Sequence, residues 1–326
     1  MRVVFFGTPA FAVPSLGALL DTAVDVAAVV TQPDRARGRS HSTLASPAVK
    51  VRALKAGIPV LQPEQPRDEA FYQEIRALRA DIGIVVAYGH LLRPELLAIP
   101  RLGCVNVHAS LLPRWRGAAP IQWALLSGDP ETGVTIMRIE KGLDTGAIWH
   151  ERDTAISDVD TAATLTERLA QLGAEALLEA LPGIGAGVTP TPQDDVGATH
   201  APKIDRELAR IRWNESARTV SCRIRAMDPA PGAWTTIGGV EIKMFGATAA
   251  AADGDTSDDG VVGARQAVSL RSPSPGTIVR RDDDALIVHA HDGALTITDI
   301  QPAGRRRMPA AEWLRGANLP DDARFA

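Results

Sequence analysis

The sequence predicts an α/β chain, in which a doubly wound, Rossmann-like parallel sheet is followed by a small antiparallel β-barrel of the OB-like type. From residue 1 to about 150, short β-branched runs alternate with helical stretches, which favours parallel strands joined by helices. After residue 203, apolar runs follow one another at hairpin spacing, which is typical of a small barrel. A stretch rich in Gly, Pro and Asp without an apolar period separates the two regions.

We therefore expect an α/β domain over 1–183, a linker over 184–203 and a β-barrel domain over 204–326. A chain of 326 residues is long for one ordinary domain and comfortable for two.

The elements of the first domain follow from the periodicity of its apolar residues. The expected strands read RVVFF, VDVAAVV, IPVLQ, DIGIVVAY, GCVNVHA and GVTIMRI, and the expected helices between them are AVKVRALKAG and DEAFYQEIRALRA. A long helix is predicted over 160–181, because leucines recur there on roughly one face: Leu165, Leu169, Leu172, Leu177 and Leu181.

The second domain is expected to begin with two short helices, RELARIRW and ESARTVSCRIRAM. Five strands follow, GAWTTI, VEIKMFGA, GTIVR, ALIVHA and ALTITDI. The insert 250–260, AAADGDTSDDG before the third strand, is predicted to be a solvated loop.

Composition and charge limit the classes of function. Hydrophobic residues make up 45% and charged residues 23% of the chain, an ordinary balance for a globular protein, and the net charge of −4 means that a nucleic-acid partner would have to meet local basic patches. Cys104 and Cys222 are the only cysteines, which excludes a disulfide framework and favours a reducing, cytoplasmic location. No apolar run is long enough to span a membrane, so we expect no membrane partner.

A polar stripe lies at the end of the fifth predicted strand, in NVHASLLPRWRG (106–117). Asn106 and His108 are two residues apart and therefore point to one face, near the carboxyl end of the strand where open α/β sheets bind ligands. Ser110 follows at the same spacing. A buried network of hydrogen bonds would be the structural alternative.

The loop after the stripe favours a ligand site over a structural network. Pro113 and Gly117 stiffen or turn this loop, and Arg114 and Arg116 are expected to leave it in water.

A third polar group comes from EKGLDTGAIW, in which Asp144 follows the turn after the strand GVTIMRI and should re-enter the same crevice. Such a set could bind a metal, assist acyl transfer or cap helices. Metal binding is the weakest of these, because one His and one carboxylate are too few ligands. The sequence has no Gly-x-Ser-x-Gly nucleophile elbow and no Cys–His pairing at a supporting spacing, which disfavours covalent catalysis and leaves direct transfer aided by polar groups.

The stretch NVHASLLPRWRGAAPIQWALLSGDPETGVTIMRIEKGLDTGAI (106–148) resembles the signature of the folate-dependent formyltransferases. The resemblance covers nearly the whole chain, and several further segments are similar to the members that act on tRNA. These are FFGTPAFAVPSL (5–16), TQPDRARGR (31–39), VVAYGHLL (85–92), PAPGAW (229–234) and IQPAGRRRM (300–308).

The resemblance implies transfer of a formyl group from 10-formyltetrahydrofolate to the α-amine of methionine on initiator tRNA, with no metal and no nicotinamide. It implies that Asn106 and His108 donate hydrogen bonds to the oxygen that becomes negative when the amine attacks. Asp144 would orient the imidazole and help to remove the amine proton, and the final proton acceptor is left open. The segment GTPAFA lacks the Gly-x-Gly-x-x-Gly fingerprint of a dinucleotide site.

The resemblance also implies folate contacts from two loops, whose backbone and apolar groups suit a flat pterin ring. The residues concerned are Ser110, Leu111, Leu112, Pro113, Tyr88, Gly89, His90 and Leu91.

For tRNA, the resemblance points to Arg35, Arg37 and Arg39 in the loop after the second strand. The barrel would add Arg305, Arg306 and Arg307, with Arg223–Arg225 as a further basic cluster that follows the phosphate backbone. Plain solvated surface is the alternative for each cluster. We expect the chain to act as a monomer.

Three other functions stay open at this point. A formyltransferase acting on an amino sugar-nucleotide would share the two-domain plan, whereas one acting on a purine ribonucleotide should end near residue 200. A non-catalytic RNA-binding protein that kept the fold would not need Asn106, His108 and Asp144 together.

Overall fold

The computed structural model describes residues 1–37, 43–249, 273–280, 286–317, 319–320 and 322–326. The chain forms two compact units. Unit 1 comprises Met1–Ala124, Pro130–Ala155 and Thr164–Lys203, and unit 2 comprises Leu125–Asp129, Ile156–Ala163 and Ile204–Ala326.

A seven-stranded sheet forms the centre of unit 1, with the strand order β10-β9-β7-β6-β1-β2-β5. The strands of unit 1 are β1 (Arg2–Gly7), β2 (Asp25–Val30), β3 (Arg35–Arg37), β4 (Thr43–Ala45), β5 (Val60–Leu61), β6 (Ile82–Val86), β7 (Cys104–His108), β8 (Arg116–Gly117), β9 (Glu131–Arg138), β10 (Ile148–Ala155) and β11 (His200–Ala201). Each of the six strands expected in this domain is present in the sheet, which confirms the α/β fold class.

The sheet is mixed rather than wholly parallel. Five strands are parallel to one another, β5, β2, β1, β6 and β7. By contrast, β9 is antiparallel to β7, and β10 is antiparallel to β9. The connection from β9 to β10 is too short for a crossover, so these two strands pair as a hairpin. Strand β10 escaped prediction because only every second residue along most of it is partly buried, as on an edge strand.

The order of strands reverses at β1, which lies between β2 and β6. At such a switch point the loops after neighbouring strands separate and leave a crevice at the carboxyl ends of the strands. Val3, Val4, Phe5 and Phe6 of β1 are fully buried, because helices cover both faces of a parallel sheet. The crevice therefore lies at the end of a fully buried central strand.

The helices are α1 (Val13–Leu20), α2 (Ala48–Lys55), α3 (Glu69–Ala77), α4 (Pro94–Leu97), α5 (Pro120–Leu126) and α6 (Ala162–Gly185), preceded by a 3-10 turn at Ala10–Ala12. Asp68 caps α3, since its Oδ1 accepts the Phe71 N–H at 2.8 Å. In α6 four of the five predicted leucines are buried, and Leu172 is half-buried. Among the described helices, none has the length and apolar character needed to cross a membrane.

Unit 2 is built on an antiparallel sheet with the order β12-β13-β16-β15-β14, and β17 pairs with β16. Its elements are α7 (Ala217–Ala226), β12 (Ala233–Ile237), β13 (Val240–Ala249), β14 (Ile278–Arg280), β15 (Leu286–His289), β16 (Ala294–Pro302), β17 (Met308–Pro309) and α8 (Ala310–Gly316). The five predicted strands are present as an open, barrel-like sheet. Ser216 caps α7, because its Oγ accepts the Thr219 N–H at 3.1 Å.

The helix predicted for RELARIRW is wrong. This segment is a series of turns in which Ile211 N–H donates to Trp234 O at 2.8 Å and Trp234 N–H donates to Ala209 O at 2.9 Å. The guanidinium groups of Arg206 and Arg210 lie over the Trp234 ring at 4.7 and 5.4 Å. Pairing with β12 therefore replaces the helical hydrogen bonds that local propensity favours.

The expected surface cluster Arg223–Arg225 is also wrong, since both arginines are buried in unit 2 with exposed fractions of 8% and 6%. Arg223 pairs with Glu215, and Arg225 Nη1 donates to the carbonyl oxygens of Ser157 and Asp160 at 3.2 and 2.9 Å. These guanidinium groups therefore bind other segments of unit 2 rather than solvent.

The segment 184–203, expected to be a linker, is assigned to unit 1. Strand β11 pairs in parallel with β8, and Thr191 exchanges two backbone hydrogen bonds with Ile148 at 2.7 and 2.8 Å. The predicted loop at 250–260 lies outside the described residues.

Candidate active site

A cavity of about 520 Å³ opens in unit 1 at the carboxyl ends of β6 and β7. It is lined by Val85 with the loop 87–94, by Asn106 on β7, and by Met137 with the turn 139–144 after β9. Its volume lies in the range of small-molecule sites, and its place in the sheet is where α/β folds bind ligands.

Asn106 lines the cavity from β7, between two strands whose residues also line it. It pairs with Val85 of β6 on one side and with Met137 of β9 on the other. It is half-buried, and within the described residues its side-chain amide makes no hydrogen bond. A polar amide among apolar neighbours is thus available to a ligand.

His108 is buried, with an exposed fraction of 5%. Its Nε2 lies 3.0 Å from the carbonyl oxygen of Trp115. A carbonyl oxygen only accepts, so Nε2 carries the proton and donates it. The backbone of Trp115 has a φ of 63°, a left-handed conformation that aims this carbonyl at the ring.

Asp144 joins the other two groups from the turn after β9. Its Oδ2 lies 3.7 Å from Nδ1 of His108, an ion-pair distance but too long for a hydrogen bond. The same oxygen accepts the Gly117 N–H at 2.9 Å, and Gln193 Nε2 donates to the carbonyl oxygens of Asp144 and Gly146 at 2.9 and 2.7 Å. The carboxylate is therefore held by a backbone N–H, and no side chain or backbone group of the described residues makes a hydrogen bond to Nδ1 of His108.

Gly117 can serve as this backbone donor because it has no side chain. A Cβ at this position would lie 2.7 Å from Ala201 O, and its φ of 131° is one that other residues rarely adopt.

Arg116 contradicts the expectation that it lies in water, because its exposed fraction is 6%. Its guanidinium donates to Gln193 Oε1 at 2.7 and 3.0 Å and to Asp195 Oδ1 at 2.9 Å. The two partners come from the segment expected to be a linker, whose polar residues thus anchor the loop. Arg114 is exposed, as expected, and lies over the Trp115 ring at 4.5 Å.

Of the residues predicted to bind folate, Tyr88, Gly89, His90 and Leu91 all line the cavity. Tyr88 is buried edge-on against Phe6, with 5.6 Å between the ring centroids, and burial raises the pKa of its phenol to about 12. Its Oη is buried without a hydrogen-bond partner among the described residues. Leu91 is 87% exposed although it belongs to the lining of the cavity.

The other predicted folate residues, Ser110, Leu111, Leu112 and Pro113, are not among the described residues that line this cavity. Ser110 Oγ donates to Arg114 O at 2.6 Å. The Leu112 N–H donates to Thr135 Oγ1 at 3.1 Å, and that oxygen lies 2.7 Å from Ser110 O. The turn after β7 is thus held largely by contacts within the protein.

Of the arginines predicted to contact tRNA in unit 1, Arg35 and Arg37 lie in β3, which pairs with β4. Arg35 is exposed, and its Nη2 donates to Gln32 Oε1. Only the backbone of Arg37 is described, and Arg39 lies outside the described residues.

In unit 2, Arg305 and Arg306 are exposed, whereas Arg307 is bound on both sides. Its Nη1 donates to Asp228 Oδ1 at 2.8 Å and its Nη2 to Asp299 Oδ2 at 3.3 Å. Partial burial acts to lower the pKa of Arg307, but these two carboxylates outweigh it and raise the pKa. Less of its charge is therefore available to a phosphate.

Sequence reasoning missed three groups that position the polar set: the Trp115 carbonyl, the Gly117 N–H and Gln193. The polar run Gln-Asp-Asp at 193–195, inside a Pro-rich segment, was the one available signal. In the part of the chain that the structure describes, no group of three or more His, Cys, Asp or Glu side chains could hold a metal ion.

Comparison with known protein families gives two matches. The sequence profile described as formyl transferase matches residues 1–181, and that described as formyl transferase, C-terminal domain, matches residues 203–318.

Individual relatives match over the full length. A methionyl-tRNA formyltransferase from Nitrosospira multiformis is 42% identical over 326 residues, covering 100% of this chain and 99% of the relative. One from Methylococcus capsulatus is 45% identical over 320 residues, covering 98% of each.

Two solved structures share the fold at low identity. WlaRD, a sugar 3N-formyl transferase, has a TM-score of 0.65 at 17% identity, covering 94% of this chain and 99% of its own. HypX from Aquifex aeolicus in complex with tetrahydrofolic acid has a TM-score of 0.61 at 20% identity, covering 96% of this chain. The match spans about half of HypX, 47% of its chain.

Proposed function

The chain belongs to the formyl transferase family, and we infer that it transfers a formyl group from 10-formyltetrahydrofolate to the α-amino group of methionyl initiator tRNA, for translation initiation. This inference rests above all on the 42% identity over 326 residues to a methionyl-tRNA formyltransferase. The sugar formyltransferase shares only the fold at 17% identity, so a sugar-nucleotide acceptor is not favoured. The match to the C-terminal domain likewise disfavours an acceptor of the purine pathway.

The cavity in unit 1 fits the formyl donor. A folate offers a flat pterin ring that needs apolar walls and backbone hydrogen bonds. The loops 87–94 and 139–144 line the cavity together with apolar side chains, which are those of Val85, Leu92, Leu97, Met137 and Ile139. Tyr88, Gly89, His90 and Leu91 are our folate-contacting residues on this basis, and contact by Ser110, Leu111, Leu112 and Pro113 stays a prediction.

For the catalytic step we assign Asn106 as the donor that stabilises the developing negative oxygen, because it lines the cavity and its amide has no hydrogen-bond partner among the described residues. His108 donates Nε2–H to the Trp115 carbonyl, so the atom left for substrate is Nδ1, which in a neutral ring accepts a proton. We assign Nδ1 to take the proton of the attacking amine, whose nitrogen forms the new bond to the formyl carbon. Asp144, 3.7 Å from Nδ1, would then stabilise the imidazolium. The imidazolium can in turn donate a hydrogen bond to the developing negative oxygen of the formyl group. As the bond between the formyl carbon and N10 of the folate breaks, the same proton passes to N10 and tetrahydrofolate leaves.

The tRNA is proposed to contact exposed arginines of both units, among them Arg35 and Arg305 with Arg306. Arg37 and Arg39 keep their predicted role, and Arg307 would support its neighbours through Asp228 and Asp299. We propose further that catalysis resides in 1–183, that 204–326 anchors the tRNA, and that 184–203 connects the two. A cytoplasmic location and a monomeric state complete the proposal.

One assay tests the function. The purified chain is given 10-formyltetrahydrofolate with methionyl initiator tRNA, and formation of formylmethionyl-tRNA is measured after acid precipitation. A thymidine-diphosphate amino sugar serves as the competing acceptor at the same concentration. Formylation of the sugar with no formylation of the tRNA would refute the proposal.

A further inference from the structure

Gln32 lies behind the loop that lines the cavity and has no role in the function proposed so far. Its exposed fraction is 9%, and both ends of its side-chain amide are used. Nε2 donates to the carbonyl oxygen of Tyr88 at 3.1 Å, and Oε1 accepts from Arg35 Nη2. One buried side chain therefore joins the β3–β4 hairpin to the cavity loop.

The Tyr88 carbonyl is the point from which this loop is held. It also accepts Thr8 Oγ1–H at 2.8 Å, so two side chains converge on one oxygen. On either side of it, Ala87 has a φ of 47° and Gly89 a φ of 89°. A left-handed alanine is unfavourable by itself and persists where the surroundings determine it.

Gln32 also sets the position of the loop by direct contact. A Cβ at Gly89 would lie 2.3 Å from Gln32 Nε2, so the amide rests against bare backbone. The residues that follow, His90, Leu91 and Leu92, line the cavity. A displacement of the Gln32 amide therefore moves the wall of the cavity.

The hairpin end of this connection is anchored as well. Lys50 Nζ lies 2.8 Å from Asp34 Oδ2, and Gln62 Nε2 donates to Asp34 Oδ1 and to Gln32 O, both at 2.9 Å. The hydrogen bond from Lys50 lowers the pKa of Asp34. Arg35 follows Asp34 directly, so the contacts that hold Asp34 also fix the backbone from which the Arg35 side chain reaches Gln32.

We propose that Gln32 is a positioning residue for the formyl-donor cavity and that Arg35 acts on the donor through Gln32, besides any contact with tRNA. This inference rests on the proposed function, because it assumes that the cavity holds the folate. It assigns Arg35 an effect on folate affinity, which a residue of a purely anion-binding patch would not have.

The first test replaces Gln32 by Glu, which keeps the acceptor for Arg35 but sets a carboxylate oxygen against the Tyr88 carbonyl. Binding of tetrahydrofolate is measured by equilibrium dialysis without tRNA, with Gln65→Glu at an exposed site of unit 1 as the matched control. Gln32→Glu is expected to raise Kd and the KM for 10-formyltetrahydrofolate by about tenfold, and to speed hydrogen exchange at residues 87–91. KM for tRNA should stay unchanged.

Gln32→Met is the second variant, because it lacks the donor without adding charge and stays informative if Gln32→Glu unfolds. It is expected to raise Kd by about threefold to tenfold. A change below about twofold in a folded variant of either kind overturns the inference. If the unchanged chain binds no tetrahydrofolate, the proposed function itself fails, which is a different result.

The third variant, Arg35→Ala, is compared with Arg67→Ala, which removes an exposed arginine of the same unit. Arg35→Ala should raise the tetrahydrofolate Kd by about threefold, and adding it to Gln32→Met should cause little further loss, since both act on one connection. Arg67→Ala should leave Kd unchanged. Additive losses in the double variant, or an effect of Arg35→Ala on tRNA alone, would show that the arginine does not act through Gln32.

Discussion

Around the cavity of unit 1, polar groups from distant stretches of the chain meet on fixed backbone, whereas in unit 2 many arginines are engaged with their own domain. Asn106 and Asp144 line the cavity, and His108 lies 3.7 Å from Asp144. In unit 2, Arg223 and Arg307 pair with carboxylates, while Arg305 and Arg306 remain exposed.

This difference shows that residue type alone does not identify a group that binds a ligand. A catalytic site needs a small number of groups held within fractions of an ångström, so its supports are conspicuous in the structure. A phosphate-binding surface needs charge that is free to move, so an arginine already paired with two carboxylates contributes less than its type suggests.

The largest effect is expected at the cavity. In the proposed mechanism, Asn106→Asp replaces an amide donor by a carboxylate that would repel the developing negative oxygen, and His108→Ala removes the proposed proton acceptor. Each should lower kcat by about a hundredfold or more, with a smaller change in the Kd of tetrahydrofolate. Steady-state kinetics and equilibrium dialysis measure the two quantities.

Asn214→Asp, at an exposed site of unit 2, is the matched control and should leave kcat unchanged. If Asn106→Asp or His108→Ala kept more than about a tenth of kcat, the contrast between a catalytic unit 1 and a binding unit 2 would fail at its strongest point.

A smaller effect is expected for Gly117→Ala, which tests whether backbone holds Asp144. The new Cβ would lie 2.7 Å from Ala201 O, at a φ of 131°. We expect unfolding of unit 1 to need about 1–3 kcal/mol less free energy, and kcat to fall because Asp144 loses its donor. Gly17→Ala is the control, since a Cβ there meets no atom within 4 Å. Equal stability of the two variants would contradict the account of the loop.

Within unit 2, the arginines at 305–307 are expected to separate by function. Arg307→Ala leaves the nearly buried Asp228 without its partner and should lower the free energy of unfolding by about 1–2 kcal/mol, a value reduced for the partial exposure of Arg307. Arg305→Ala and Arg306→Ala should leave stability within about 0.5 kcal/mol.

The same two exposed variants should weaken tRNA binding and reduce the slope of log affinity against log salt by about one each. Denaturant unfolding and filter binding over a series of salt concentrations give both quantities. If Arg307→Ala reduced the salt slope as much as its neighbours without affecting stability, its ion pairs would count for little.

The smallest effect is expected in the rate at which the two buried cysteines are labelled, Cys104 in unit 1 and Cys222 in unit 2. Burial raises the pKa of the Cys104 thiol from 9.0 to about 12. The folded chain therefore keeps this proton more tightly than the unfolded chain, so the stabilisation is full below pH 9 and is lost as pH rises towards 12. Near pH 9, iodoacetamide should label Cys104 only as unit 1 opens, and the equally buried Cys222 only as unit 2 opens. Mass spectrometry follows both sites, and labelling of Cys104 at the rate of unfolded chain would contradict its burial.

From the sequence, the chain order of the strands β1, β2, β5, β6, β7 and β9 and of the five main strands of unit 2 could be predicted, whereas β10 was missed and the helix at RELARIRW was wrong. Apolar period and Gly-Pro punctuation report local conformation, which is why β7 and α6 were predictable. The spacing of two residues in a strand places Asn106 and His108 on one side, and the turn after β9 returns Asp144 to the same edge.

The groups that hold these residues could be identified only from the folded chain. Every residue except proline carries the same backbone N–H and C=O, so nothing in the sequence marks the Trp115 carbonyl or the Gly117 N–H as partners of His108 and Asp144. The same holds for arginines: Arg116 is buried and Arg305 is exposed because distant acidic and amide groups fold against one and not the other. Such pairings depend on which surfaces the packed sheet brings together, and local patterns carry no record of that.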